Sequence, residues 1–525
     1  MRRRREVELA CLRFFDHSLQ EPHNHRSGTN LLNRQARHLG DCFTPIFQEC
    51  TVIPRLLGVM TSPAFGGNFV RSLFVDLMSF ILLSSCLGAV AANAQERIAI
   101  KAGRLIDGTG APAIEQAVVI VRGERIEAVG RASSIPIPEG VKVIDLSADT
   151  VMPGMIDGHS HPTVRNYTGD KPKRIGPNSL LQELGMMEEP SAMQAARGVR
   201  NLRVDLLAGV TSDYVVGEVG GNDIYLKRMA DAGVIPAPRM YLSGPWIMPT
   251  GGFSPIPETN GPWAMRTMVR ENFEQGAHHI KILISSSMPT GPNAGRSYAP
   301  GATNFTKEEL DAVVDEAHRL GMKVTAHAMD AYSTRLALEA GADSIQHASD
   351  LTPEVVGSFL KYHAGFINTY AVFFGDSFTP LDWYYLDAEA NSPQEWVDHA
   401  RAIRDMANAQ NQRSQESLKE RYAQLKMAKS KGIPIGVGTD DMHGLLDIEI
   451  EHLVSAGFTP LEAIGAATGT GARVLGIDKE VGTLETEKYA DIISIRGRPD
   501  ENIRDLGKVN FIMVGGKIYS GLSFR

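Results

Sequence analysis

The sequence predicts an α/β protein: a (β/α)8 barrel of TIM-like build, with a small β-sandwich domain formed by both ends of the mature chain. Three observations predict it. Between residues 153 and 476, short apolar runs alternate with amphipathic stretches, as strand and helix do around a parallel sheet. Residue types able to bind a metal close five short segments in turn: His159 and His161 in MIDGHSH, Lys281 in IKILIS, His327 in VTAHAMD, His347 in SIQHASD and Asp440 in IGVGTDD. In such a barrel the chemistry sits at the C-terminal ends of the strands. Finally, β-branched runs punctuated by Gly and Asp fill the two ends, 95–152 and 477–525.

Size and composition allow this. The chain has 525 residues, 43% hydrophobic and 22% charged, with a net charge of −8. That accommodates one large barrel and a smaller domain, and the mild acidity gives no reason to expect nucleic acid. The first 94 residues differ from the rest. Arg71 precedes an apolar run, Leu77 to Val90, and then Ala92-Asn93-Ala94, the layout of a secretory signal peptide cleaved before Gln95. Met60 gives that peptide a normal length, so 60–94 is read as the signal and 1–59 as an over-called start. A lipoprotein site at Cys86 is the alternative. The run is shorter than the ~20 residues of a membrane span, so the mature form is expected to lack one and to be periplasmic or secreted. All four cysteines precede Ala94, which leaves no disulfide and no Cys-ligated metal in the mature protein.

Along the mature chain, RIAIKAGRLI, AVVIVRGERIEAVG and VKVIDLSADTVMPG read as hairpin strands, and Gly515-Gly516 as a tight turn near the far end. Helices are predicted over 191–209, 223–233, 306–321 and 331–341, several closing on Gly, and a long polar one near 393–431. Strands are predicted at TSDYVV, RMYLSG, IKILIS, KVTAHA, SIQHA, GFINTY and PIGVGTD. Right-handed crossovers repeated about eight times close such a sheet.

Each chemical residue has a plainer reading beside the metal one. His159 and His161 alternate on one strand face, so both can reach one ion, or both can be hydrogen-bonded strand-end histidines. Lys281 ends an apolar strand; it snorkels to water, or it is buried, loses its proton and takes up carbon dioxide to become a bridging carbamate. His327 and His347 lie twenty residues apart with one helix between, on adjacent strands at one level. Asp440 can bind a metal and contact a metal-activated water, or it can cap the next helix, for which Asp441 is the better candidate. His278 and His279 precede Lys281, and at most one shares its face. His318, His363, His399 and His452 take structural roles, while His443 is close enough to Asp440 to line the pocket.

Together these segments resemble the metal-dependent amidohydrolase superfamily, binuclear carboxylated-lysine type. VMPGMIDGHSH is similar to its first-strand signature, and GRLIDGTG, AHRLGMKVTAHA, GADSIQHA and TGTGARVLG also look like it, over about 97–522. The likeness is greatest to the Xaa-Pro dipeptidase, Lys/Arg carboxypeptidase and ochratoxin-amidase group. It implies two divalent ions, usually zinc: His159, His161 and Asp440 on one, His327 and His347 on the other, carboxylated Lys281 and a hydroxide between them. The hydroxide attacks a polarised carbonyl, and Asp440 is the catalytic proton shuttle. Homo-oligomers are frequent among such proteins and one is expected here. The chain departs from the pattern at Ser285-Ser286-Ser287, at Ala348 where Gly is commoner, and at Asp441-Met442-His443.

Specificity belongs to the βα loops. Arg165, Lys171, Lys173 and Arg174 follow His161. Arg296 and Tyr298 follow Lys281 and, with His443, are the substrate-contact candidates. An aromatic stretch spans 370–396. These suit a small amide substrate, a dipeptide or N-acyl amino acid with a hydrophobic or aromatic part. Lactone, carbamate or phosphotriester hydrolysis on the same metals is the second reading. A deaminase fits less well, since Asp330 stands where a Glu is usual. The non-enzyme reading, a metal-dead scaffold or solute-binding protein, requires lost ligands, and all six are present.

Overall fold

The computed structural model describes residues 96–164, 189–250, 258–284, 303–370 and 412–519, with a few positions between 392 and 402. The chain divides between Ala94 and Gln95, and the fold described is that of the second unit, Gln95–Arg525. The expected extension, signal peptide and Cys86 site lie outside the described residues. So do the basic positions 165–174, Arg296, Tyr298 and the aromatic positions 371–391. Among the described residues no helix is long and apolar enough to cross a membrane.

The chain opens with β1 (Arg97–Leu105), β2 (Ile114–Arg122), β3 (Arg125–Arg131) and β4 (Lys142–Pro153). Eight short strands follow: β5 (Met155–Ser160), β6 (Val210–Val215), β7 (Arg239–Leu242), β8 (His279–Leu283), β9 (Lys323–Ala328), β10 (Ser344–His347), β11 (Gly365–Asn368) and β12 (Ile435–Val437). It ends with β13 (Ile492–Ile495), β14 (Val509–Val514) and β15 (Lys517–Ile518). Both ends pair in one seven-stranded mixed sheet, ordered β15-β14-β13-β4-β1-β2-β3. Gly515 and Gly516 join β14 to β15 with φ of 54° and 75°, the all-positive turn that a tight hairpin demands. Ile98, Ile100, Val119, Val121, Ile492 and Met513 form this sheet's own apolar cluster.

The central strands make two parallel sheets, β12-β11-β10-β9-β8 and β5-β6-β7. Isolated parallel bridges connect them at Ser160–Asp440 and Ile247–Ile282. Between and after these strands lie α1 (Ser191–Leu207), α2 (Asn222–Asp231), α3 (Pro262–Gln275), α4 (Lys307–Arg319), α5 (Ala331–Ala340), α6 (Pro353–Tyr362), α7 (Gln412–Ser430), α8 (Leu446–Ser455), α9 (Pro460–Ala466) and α10 (Gly469–Leu475). Their starts obey local chemistry: Thr306 and Glu309 form a reciprocal capping box on α4, and Asp330 caps α5 through Ser333 N–H. The long polar helix expected near 393–431 is described over Gln412–Ser430 as α7, positions 403–411 lie outside the described residues, and 401 and 402 before them are helical too.

One face of the central strands is apolar and packs on the helices: Ile282, Val324, Ile345 and Phe366 join Leu310, Val313, Leu446 and Ile450 in one cluster. Each such side chain contributes about 1.5–3 kcal/mol by leaving water. The alternate residues are polar and equally buried: Asp157, His159, Lys281, Thr325, His327 and Gln346. Two glycines let the histidine-bearing strand approach its neighbours. A Cβ on Gly158 would stand 2.9 Å from Val437 O, and one on Gly438 would stand 2.5 Å from His159 N.

Candidate metal centre

Three side chains from opposite ends of the parallel array meet where β5 runs alongside the segment after β12. Asp440 N–H donates to His159 O at 2.7 Å, and His161 N–H donates to Asp440 O at 2.9 Å. Two Nε2 atoms, those of His159 and His161, stand 3.3 Å apart. Asp440 Oδ1 is 3.8 Å from the first and 3.7 Å from the second. These form a compact group of potential ligand atoms, all within 4.8 Å of one another and all from buried residues.

The ring orientations are set from behind. His161 Nδ1 lies 2.8 Å from the Gly217 carbonyl, which can only accept, so Nδ1 carries the proton and Nε2 presents its lone pair. Gln346 performs the same task for His159. Its Nε2 donates to Thr325 Oγ1 at 2.7 Å, leaving Oε1 to accept from His159 Nδ1 at 2.8 Å. Burial, and next the Lys281 charge, hold His159 well below the usual imidazole range and push His161 down to about 3. Two neutral imidazole lone pairs and a carboxylate oxygen therefore face one point. Two nitrogens bound to one tetrahedral ion at ~2.0–2.1 Å stand about 3.3 Å apart, the separation found here, so the donor set fits a metal.

His347 extends the cluster. Its ring centroid is 4.5 Å from those of His159 and His327, and its Nδ1 meets Thr369 Oγ1 at 2.6 Å. Burial lowers His347 well below the usual range and brings His327 down to about 3. Lys281 is only 1% exposed, at the middle of β8. Burial pushes its ammonium down to about 7 against the opposing pull of Asp440. A snorkelling lysine would be exposed; this one is not. Nor does Asp440 cap a helix. The next helix, α8, starts at Leu446 after Leu445 with no side-chain cap, which leaves Asp441 without that role as well.

His443 is placed differently from expectation. It is fully buried, with Nδ1 2.7 Å from Asp205 Oδ2 and Nε2 3.2 Å from His161 O. Both partners accept, so both ring nitrogens donate, and the Asp205 charge raises the group to about 9 against the cost of burial. It braces the His161 backbone from behind. His279 is the histidine that shares the Lys281 face, stacked on Tyr214 at 3.7 Å. His318 pairs with Asp343, His363 closes α6 with φ 54°, and His452 meets Tyr422 Oη at 2.7 Å. Tyr370, at the edge of the expected aromatic lid, is buried against His452.

Sequence reasoning passed over Gln346, Asp205 and Asp157. Asp157 was the most legible of them in the sequence. It stands two residues before His159 on the same face and accepts from His159 N–H at 3.0 Å and from Thr439 N–H at 3.0 Å. Burial, and after it the Asp205 charge, raise it to about 7.

Parallel α/β sheets carrying four histidines, a lysine and an aspartate in one buried polar layer define the class. Residues 150–519 match the amidohydrolase family model, and the chain belongs to that family. Ochratoxinase of Aspergillus niger is 25% identical over 466 residues, covering 80% of this chain and 86% of that protein. The crystal structure of a Xaa-Pro dipeptidase with methionine bound in its active site is 26% identical with a TM-score of 0.63, covering 81% of this chain and 100% of the other. A prolidase complexed with N-methylphosphonate-L-proline is 24% identical with a TM-score of 0.62, covering 81% and 99%. The family resemblance read from the sequence holds. Membership, with the likeness to ochratoxinase and to the Xaa-Pro dipeptidase, supports a hydrolase acting on amide bonds.

Proposed function

We propose that this protein is a binuclear metal-dependent amide hydrolase acting on dipeptides or N-acyl amino acids with a hydrophobic or aromatic part. The supporting observation is the facing of two lone-pair nitrogens and the Asp440 carboxylate across less than 4 Å. His159, His161 and Asp440 would hold one ion, His327 and His347 the other. Lys281, brought near neutrality by burial, is suited to react with carbon dioxide and serve both as a carbamate. When bound, the ions acidify water and polarise the scissile carbonyl. Asp440 accepts the proton of the attacking water and returns it to the departing amine, so that amide and water become carboxylate and amine. Gln346, Gly217 and Thr369 keep the three rings turned toward the centre.

The two bridges between the parallel sheets favour a closed (β/α)8 barrel over 153–476. The seven-stranded sheet that joins 95–152 to 477–525 favours a separate small β domain, and its folding as a sandwich rests on the sequence and the resemblance. Export to the periplasm or medium after cleavage before Gln95, and assembly as a homo-oligomer, belong to the same proposal and rest on the sequence and the resemblance.

The test is a hydrolysis screen on protein starting at Gln95, zinc-loaded and metal-free, with dipeptides, N-acyl amino acids, lactones and paraoxon-like esters. The expected outcome is amide cleavage that needs metal, with about two ions per chain. Asp440→Asn should lower kcat about 10²–10⁴-fold. Full activity without metal, or cleavage of the esters alone, would overturn the proposal.

A further inference from the structure

Strand alternation alone does not deliver His347 to the centre. In β10, Ser344 Oγ donates to Thr325 Oγ1 at 2.9 Å and Gln346 joins Thr325 and His159, so both face the polar layer. Ile345 packs with the helices. Residue 347 is next in that outward series, yet its ring lies among His159 and His327.

The backbone turns it. His347 has φ 75° and Ala348 has φ 45°, and Ala348 N–H closes onto Gln346 O at 3.0 Å. A three-residue turn with positive φ at its centre is the strained γ form, and a second side-chain-bearing left-handed residue follows it. Such a conformation persists only where its surroundings over-determine it.

Arg421 of α7 is what surrounds it. The residue is 4% exposed and its guanidinium is directed at this turn. Nη1 donates to Ala348 O at 2.6 Å, and Nη2 donates to His347 O at 2.9 Å and to Asn368 Oδ1 at 2.9 Å. Asn368 Nδ2 donates in turn to Glu449 Oε2 at 2.9 Å, which supplies a carboxylate at one remove. The planar fork gives each of two successive carbonyls its own nitrogen, in a fixed geometry that an ammonium lacks.

We propose that Arg421 is a positioning residue: it clamps the left-handed His347–Ala348 turn and so aims His347 into the metal centre. This rests on the metal reading given above. The test is zinc affinity by chelator competition, with thermal unfolding, for the wild type, Arg421→Met, Ala348→Gly and the double variant. Arg421→Met should weaken one of the two zinc ions about 10–100-fold. Glycine at 348 removes the strain of the second left-handed residue and leaves that at His347, so Ala348→Gly should restore part of that affinity in the Arg421→Met chain and, alone, keep wild-type affinity and melting temperature. Unchanged affinity in Arg421→Met, or no recovery in the double variant, would overturn the clamp. If Arg421→Met does not fold, recovery of folding in the double variant supports it. A melting temperature several degrees below wild type for Ala348→Gly alone refutes it. Failure of the wild type to bind two zinc ions would instead sink the metal reading, and the same four melting temperatures would still decide on the clamp.

Discussion

Burial decides the chemistry of single residues here. Glu218 shows this apart from the ligands. It is 1% exposed, accepts from Thr163 N–H at 2.9 Å, and is raised to about 8, chiefly by burial and less by Asp223. The unfolded carboxyl ionises near 4.5 while the folded one keeps its proton to about 8. Between those values the unfolded chain binds fewer protons, so this group's contribution to stability falls as pH rises. Glu218→Gln cannot ionise. Its stability relative to wild type should therefore improve by up to about 1.4 kcal/mol per pH unit on going from pH 5 to pH 8. Denaturant unfolding of the two proteins at those pH values measures it. A constant difference across that range would show that Glu218 is already ionised in the fold.

At the scale of elements, the site depends on how closely β5 and β12 approach. Gly438→Ala sets a methyl against the His159 backbone, which has no room to retreat. Overpacking of this kind costs about 1–3 kcal/mol, and it should reduce zinc content as well as stability. Thr306→Ala removes the capping box of α4. It should cost a comparable ~1 kcal/mol while leaving zinc content unchanged. Elemental analysis beside thermal unfolding separates the two, and equal zinc loss in both would mean that general loosening empties the site. The same elements show what was legible. The strands carrying His159, Lys281 and His327 follow from apolar runs and alternation, because a period of two is a local property, although Lys281 stands in mid-strand and not at the expected strand end. The His347 turn obeys no such period. Its direction depends on Arg421, seventy-four residues away, and no local pattern announces that contact. The Asp205 contact of His443 was illegible for a related reason: nearness in sequence to Asp440 gave no hint of Asp205 behind it.

At the scale of the molecule, the proposed ligand set draws on β5, β8, β9, β10 and the segment after β12, so metal binding should act as a staple across most of the parallel array. Whatever binds the folded chain alone stabilises it by mass action, by about 2.7 kcal/mol per site at a free concentration one hundred times Kd. Without ions, the lone pairs of His159 and His161 and the Asp440 carboxylate oppose one another across 3.3–3.8 Å. Adding zinc to metal-free protein should therefore raise the melting temperature in two steps, as the His159–His161–Asp440 and His327–His347 sets fill, and reach a plateau near two equivalents. Calorimetric scans across a zinc titration measure this directly. A plateau at one equivalent would remove His327 and His347 from the ligand set. A flat response would mean that the convergence of these six side chains serves the core alone.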